Sequence, residues 1–262
     1  MIRVLLIGDI VGKPGRGAVA AVVPKLRRSE HIDWVIANAE NAAGGSGVTP
    51  SIAEELYSLG CDVLTSGNHI WSKKEIFPVL QTDHRLLRPV NYPKESPGVG
   101  AWTYALPTGQ KIGVINVMGR VFMDVCDCPF RTAIEAVERL RKETAVIFVD
   151  MHAEATSEKI AMSWYLDGKV SCVFGTHTHV QTADERILPA GTARITDLGM
   201  TGPHDSVIGR RTDQILQRFI THMPVKFEMA EGNPQLHGAI VEVDPETGRA
   251  RSIRRVQEKV AA

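Results

Sequence analysis

Apolar residues along this chain come in short runs. Each stops at a polar residue, and most are followed by a segment of helical period. "RVLLIGD" (3–9) reads as a buried strand, and "DWVIANAEN" (33–41), "CDVLTSGNH" (61–69), "AVIFVDMHAE" (145–154) and "VSCVFGTHTH" (170–179) read as strands running into loops. "AWTYALP" (101–107), "KIGVINVMG" (111–119) and "ARITDLGM" (193–200) are further strands. Helical patterns fill the intervals at 17–31, 49–60, 130–144, 157–169 and 210–223. Pro24 predicts a kink or a late start in the first of these. The second is bounded by Thr49 as N-cap, Pro50 in the first turn and Gly60 at the stop. The third places Ile134, Val137 and Leu140 on one face. A β-hairpin is predicted over 237–257, turning at Asp244-Pro245-Glu246-Thr247-Gly248.

Strand and helix alternate, which predicts a layered α/β domain with a largely parallel sheet and helices outside it. The strand-rich end adds a second sheet or edge strands. No repeat or low-complexity linker divides residues 1–262, so one domain is expected. In such folds, sites gather just beyond the C-terminal ends of the strands.

Composition narrows the ligand. Thirty basic residues balance thirty acidic ones among 262, which argues against an extended nucleic-acid surface and leaves room for a small nucleotide. No apolar run reaches the ~20 residues that span a bilayer, and Asp9 breaks the first apolar stretch before it resembles a signal sequence. A cytoplasmic protein with no membrane association is expected. Cys61, Cys126, Cys128 and Cys172 contain no Cys-x-x-Cys and are read as reduced thiols.

Five strand ends each release a metal-ligand residue type: Asp9; Glu40 with Asn41; Asn68 with His69; His152; and His177 with His179. Each taken singly fits a turn former, a helix cap or a satisfied histidine. Five coincidences of position and chemistry point instead to one site. His177 and His179, two apart, share a side if their backbone is extended. A mixture of carboxylate, imidazole and amide suits borderline or hard divalent ions rather than a thiolate zinc. The opening "GDIVGKPG" is not a phosphate loop, because Gly8 and Gly12 are one residue too close and Pro14 replaces the hydroxyl residue. Asp9 is therefore the residue of interest there. Lys13 and Arg16 are surface charges that could attract an anion.

At "GDIVG", "NAENAAGG", "GNHIW", "DMHAEATSEK" and "GTHTHVQTADE" the chain resembles the calcineurin-like metallophosphoesterase superfamily. It departs where Val11 replaces a histidine, Glu40 with Asn41 replaces the bridging aspartate, and Ile70 replaces an acid. These departures, with "TDLGMTGPHDSVIG" (196–209), resemble the bacterial YmdB-like phosphodiesterases. The resemblance implies a four-layer αββα sandwich and hydrolysis of 2′,3′-cyclic nucleotides, with 3′,5′-cyclic AMP as a further substrate. It implies two metal ions, Fe or Mn, with Zn or Mg as alternatives. Asp9, Glu40 and His179 would hold the first ion, with Glu40 bridging, and Asn41, Asn68, His152 and His177 would complete the second. A bridging hydroxide would attack phosphorus and His69 would protonate the leaving oxygen. A phosphomonoesterase or nucleotidase on the same site is one alternative; a regulatory nucleotide- or RNA-binding protein with weak hydrolysis is another. Residues 203–236 are expected to add a small lid, and a homo-oligomer is compatible with the sequence. Thr178, Thr201 and His204 are read as structural, while Glu154 and Glu158 either orient ligands or cap a helix.

Overall fold

Successive residues of a strand face opposite ways, and the apolar runs of this chain put core on both sides. The computed structural model describes residues 1–260. In β1 (Ile2–Ile7), Val4 and Leu6 join one core while Leu5 and Ile7 join another. The strands that follow are β2 (Asp9–Ile10), β3 (Trp34–Asn38), β4 (Val63–Thr65), β5 (Ala101–Ala105), β6 (Lys111–Met118), β7 (Ile147–His152) and β8 (Cys172–Thr176). Then come β9 (Arg186–Ile187), β10 (Ala193–Ile195), β11 (Met200–Pro203), β12 (Pro234–Val243) and β13 (Ala250–Lys259). The helices are α1 (Gly12–Ser29), α2 (Pro50–Ser58), α3 (Phe77–Thr82), α4 (Pro129–Leu140), α5 (Thr156–Tyr165) and α6 (Thr212–Thr221), and 3₁₀ turns cover Asn68–Ser72 and Lys74–Ile76.

One sheet runs β2-β11-β12-β1-β3-β4 with β13 paired to β12, and the other runs β5-β6-β7-β8-β10-β9. Their facing sides share a core that includes Val4, Leu6, Ile36, Phe148, Phe174 and Val241. A second core lies between the first sheet and α1 and α2, built from residues such as Leu5, Val19, Val23 and Leu56. A third lies between the second sheet and α4 and α5, with Val137, Leu140, Val149 and Met162. The result is the four-layer αββα sandwich. Among the described residues, no helix is long and apolar enough to cross a membrane.

β1, β3 and β4 are parallel, as are β6, β7, β8 and β10. The hairpin β12–β13 is antiparallel and places β12 inside the first sheet, beside β1. Thr49 caps α2, its Oγ1 accepting from the Ile52 amide, with Pro50 in the first turn.

Two expectations at the start of the chain change. The first strand ends at Ile7, and Gly8 lets the chain pass close to Gly199, where a Cβ would lie 1.9 Å from the carbonyl oxygen. Asp9 then pairs in β2 with Met200 of β11. The first helix starts at Gly12, five residues early, and runs on through Pro24 to Ser29. Gly12 makes the turn with φ +58°. Gly15 lets the helix rest on β11, where a Cβ would meet the Thr201 carbonyl oxygen at 2.4 Å. Arg16 is committed to structure, donating to Glu55 and to the Ala42 carbonyl.

Candidate metal centre

The C-terminal ends of β3, β4, β7 and β8, together with Asp9 at the start of β2, bring all five predicted ligand clusters to one place. Around His152 Nε2 stand Glu40 Oε2 at 3.2 Å, Asn68 Oδ1 at 3.1 Å and His177 Nδ1 at 3.1 Å. Ligand atoms held at ~2.1 Å from one ion are themselves about 3 Å apart at octahedral angles. Glu40, His152 and His177 accordingly form a group that could hold a metal ion.

The tautomer of His152 suits that use. Its Nδ1 lies 2.9 Å from Thr176 Oγ1, which in turn donates to Asp150 Oδ1 at 2.7 Å. A proton committed at Nδ1 turns the Nε2 lone pair toward Glu40, Asn68 and His177. Asp150 also accepts from Asn38 of β3 and Thr65 of β4, so it ties the two sheets together beneath the site.

The second group centres on Asp9 and His179. Asp9 is fully buried; its Oδ2 accepts from the His177 amide at 3.0 Å, while Oδ1 has no hydrogen-bond partner among the described residues. A buried orphan carboxylate oxygen is costly unless a cation serves it. His179 Nε2 lies 3.7 Å from that atom and 3.2 Å from Asn41 Nδ2. Asn41 Nδ2 also donates to Glu40 Oε1 at 3.1 Å, and Asn41 Oδ1 lies 2.8 Å from His69 Nδ1. Asn41 thus stands with His179 and His69, away from the Asn68–His152–His177 group that the resemblance assigned it to. Glu40 presents one oxygen to each group. His69 reaches it twice, through its amide to Oε2 at 3.2 Å and through Nδ1 to Oε1 at 3.5 Å.

Electrostatics agree with a site built for positive charge. Burial raises the pKa of Asp9, with His179 and His152 opposing. Burial also disfavours the Glu40 carboxylate, yet the charge and hydrogen bond of His152, followed by His69, hold it at about 2. His152 is raised to about 9: burial opposes its charge, but Glu40, Asp9 and Asp150 together outweigh it. His177 is pushed down to about 3, first by burial and then by the His152 charge. Asp150 rises to about 6 through burial, against His152 and its hydroxyl and amide partners. The acids thus draw one imidazole into the role of a cation that a metal would fill, and binding a metal there displaces the proton.

The two histidines after β8 do not share a side through extended backbone. His177 has φ +98° and His179 φ +63°, a left-handed conformation that costs non-glycine residues of order 1–3 kcal/mol and persists only when its surroundings fix it. Here the Thr178 hydroxyl donates to Asp197 Oδ2 at 2.6 Å, the buried Lys159 ammonium pairs with the same oxygen at 2.7 Å, and His179 Nδ1 meets the Ile208 carbonyl at 3.1 Å. Thr178 is structural as expected, and Thr201 bonds the His237 carbonyl. Glu154 takes the first option, and Glu158, although in the first turn of α5, caps no helix with its side chain. Glu154 Oε2 lies 3.2 Å from His177 Nε2, whereas Glu158 accepts from the Arg120 and Val121 amides. His204 stacks on His237, with ring centroids 4.2 Å apart.

Sequence reasoning missed Gly67. A Cβ there would lie 2.1 Å from His152 Nε2 and 2.4 Å from Glu40 Oε2. Gly67→Ala is expected to keep the circular dichroism of the fold. It should lose metal from the Asn68–His152–His177 group and at least ~100-fold in turnover, the scale of a 1 Å misplacement. Wild-type metal content in the variant would show that the cradle is not a ligand site.

The sequence model of the YmdB-like protein family matches residues 5–256. The chain belongs to the YmdB-like family. It is 49% identical over 254 residues to the 2′,3′-cyclic-nucleotide 2′-phosphodiesterase of Bacillus subtilis (strain 168), covering 97% of this chain and 96% of that one. A crystal structure of a Thermus thermophilus protein described as hypothetical superposes with a TM-score of 0.92 at 41% identity, covering 98% of this chain and 99% of that one. A crystal structure described as a novel phosphatase, from Mycoplasma pneumoniae, gives 0.91 at 34% identity, covering 98% and 93%. This YmdB-like chain therefore shares its architecture with those two solved structures.

Proposed function

We propose that this chain is a metal-dependent phosphodiesterase that hydrolyses 2′,3′-cyclic nucleotides. The observation that carries the reading is the meeting of Glu40, Asn68, His152 and His177 atoms at about 3 Å beside the unpartnered Asp9 oxygen. The activity of the Bacillus subtilis relative supports it. Asp9, Glu40, Asn41 and His179 would hold one ion, and Glu40, Asn68, His152 and His177 the other. The oxygen- and imidazole-rich donor set fits Fe or Mn, with Zn and Mg as alternatives. Bound there, such ions supply Lewis acidity toward phosphoryl oxygens and make a water more acidic.

The chain's own residues do the rest. Glu40 fixes the spacing of the two groups, and Thr176 and Glu154 orient His152 and His177. Val11 offers no ligand atom and leaves room beside Asp9 for substrate oxygen. His69 lines a cavity of about 290 Å³ with Asn41, His177 and His179. Its Nδ1 is engaged by Asn41, which leaves Nε2 as the atom that protonates the departing ribose oxygen. Ile208 and Arg210, from the 203–236 segment, line the same cavity.

The test pairs metal analysis of anaerobically purified protein with kinetics on 2′,3′- and 3′,5′-cyclic nucleotides and the matching monophosphates. The expected result is about two metals per chain and a kcat/KM on 2′,3′-cyclic nucleotides far above that on monophosphates. Preference for monophosphates would make the site a phosphomonoesterase. Metal-loaded protein that binds nucleotide but cleaves no diester would make it a binding module.

A further inference from the structure

Of the residues lining the cavity, Arg210 is the only Lys or Arg. Its root is fixed by backbone hydrogen bonds in both directions with Val207. Its head is held by neutral contacts: Nη2 donates to the Gly45 carbonyl at 2.9 Å and Nη1 to the Met229 sulfur at 3.2 Å. A guanidinium carries five N–H donors, and a thioether is a weak acceptor. Three donors therefore remain without a partner among the described residues, and no carboxylate among them pairs with it. Arg211, the next residue, contrasts with it by pairing with both Asp213 and Glu228. Burial disfavours the Arg210 charge, and no acid offsets that cost.

The place is also kept clear for it. Gly45 has φ +85°, and a Cβ there would lie 2.5 Å from Met229 Sδ and 2.8 Å from Arg210 Nη2. A pre-positioned, partly desolvated guanidinium with spare donors, facing a cavity that also holds His69, is suited to a tetrahedral oxyanion.

We propose that Arg210 is a substrate-binding residue that takes non-bridging phosphoryl oxygens with its free N–H donors. This rests on the phosphodiesterase reading. A cyclic diester carries one negative charge, and the monoester product carries about −1.5 to −2. Arg210 therefore holds the product more tightly than the substrate and offsets the negative charge that develops on the phosphoryl oxygens as the ring opens.

The experiment compares wild type, Arg210→Met and Arg210→Lys. It measures metal content, KM and kcat on a 2′,3′-cyclic nucleotide, and orthophosphate affinity by calorimetry on the metal-loaded protein. Arg210→Met should keep wild-type metal content while KM and the orthophosphate Kd each rise at least ~10-fold, the scale of a lost charge-assisted hydrogen bond. Arg210→Lys should recover part of both. KM and Kd within twofold of wild type in Arg210→Met overturns the proposal. If that variant does not fold, Arg210→Lys decides, because it keeps charge and stem but loses the fork. A threefold or greater loss of orthophosphate affinity supports the proposal, and an unchanged affinity overturns it. A wild type that cleaves no cyclic diester would sink the phosphodiesterase reading alone, since the orthophosphate comparison still decides Arg210.

Discussion

Glu40→Gln should strip the site of metal while leaving the sandwich folded. The substitution is nearly isosteric at a residue only 1% exposed, and it removes one charge. That charge faces both groups: Oε2 lies 3.2 Å from His152 Nε2, and Oε1 accepts from Asn41 at 3.1 Å. Asp9 meets His177 only through that residue's backbone amide, so Glu40 is the carboxylate whose neutralisation weakens both ions at once. A neutral amide also turns two N–H donors toward atoms that must offer lone pairs. Altering groups one shell further out commonly costs 10–100-fold in metal affinity, so a direct ligand should cost at least ~100-fold. Losing several kcal/mol of charge neutralisation at phosphorus corresponds to a fall of about 10³-fold in kcat/KM. The measurements are metal stoichiometry by elemental analysis and steady-state kinetics in the same metal buffer. Two ions per chain in the purified variant would end the bridging assignment.

His69→Ala should have the complementary phenotype, with metal retained and turnover lost. Its side chain is 38% exposed and contacts Glu40 and Asn41 from the cavity side, while Asp9, His152, His177 and His179 do not depend on it. A positioned general acid contributes roughly 10²–10⁴-fold. That factor should appear on a 2′,3′-cyclic nucleotide, whose ribose alkoxide leaves poorly. It should nearly vanish on an aryl phosphodiester whose phenolate leaves without help. An equal loss on both substrates would assign His69 to binding or packing rather than to proton delivery.

The fold was legible because its information is local. Apolar runs with polar ends fix strands, Thr49-Pro50 fixes a helix start, and alternation fixes a layered α/β domain, while the four-layer αββα arrangement came from the family resemblance. The gathering of the candidate residues was legible for the same reason, since each lies at or within a few residues of a strand end. Their arrangement was not. His177 and His179 reach the site through left-handed backbone held by Asp197, Asp9 and Ile208, and those partners come from remote parts of the chain. Asn41 was grouped by analogy, whereas its contacts are with His69 and His179. Gly67 opens the "GNHIW" run, yet nothing local tells what a Cβ there would strike, and Arg210 carries no local signal. One matters for a side chain it lacks, the other for a carboxylate it does not meet.

The predicted ligands are divided between the two sheets: Asp9, Glu40, Asn41 and Asn68 belong to one, His152, His177 and His179 to the other. The catalytic spacing is therefore also a measure of how the sheets are registered. Phe148 and Phe174 sit in the shared core beneath it, and Asp150 bolts the layers together just below His152. Truncating either phenylalanine would let one layer settle against the other, so the enzyme should lose its chemistry at temperatures where it still holds its shape.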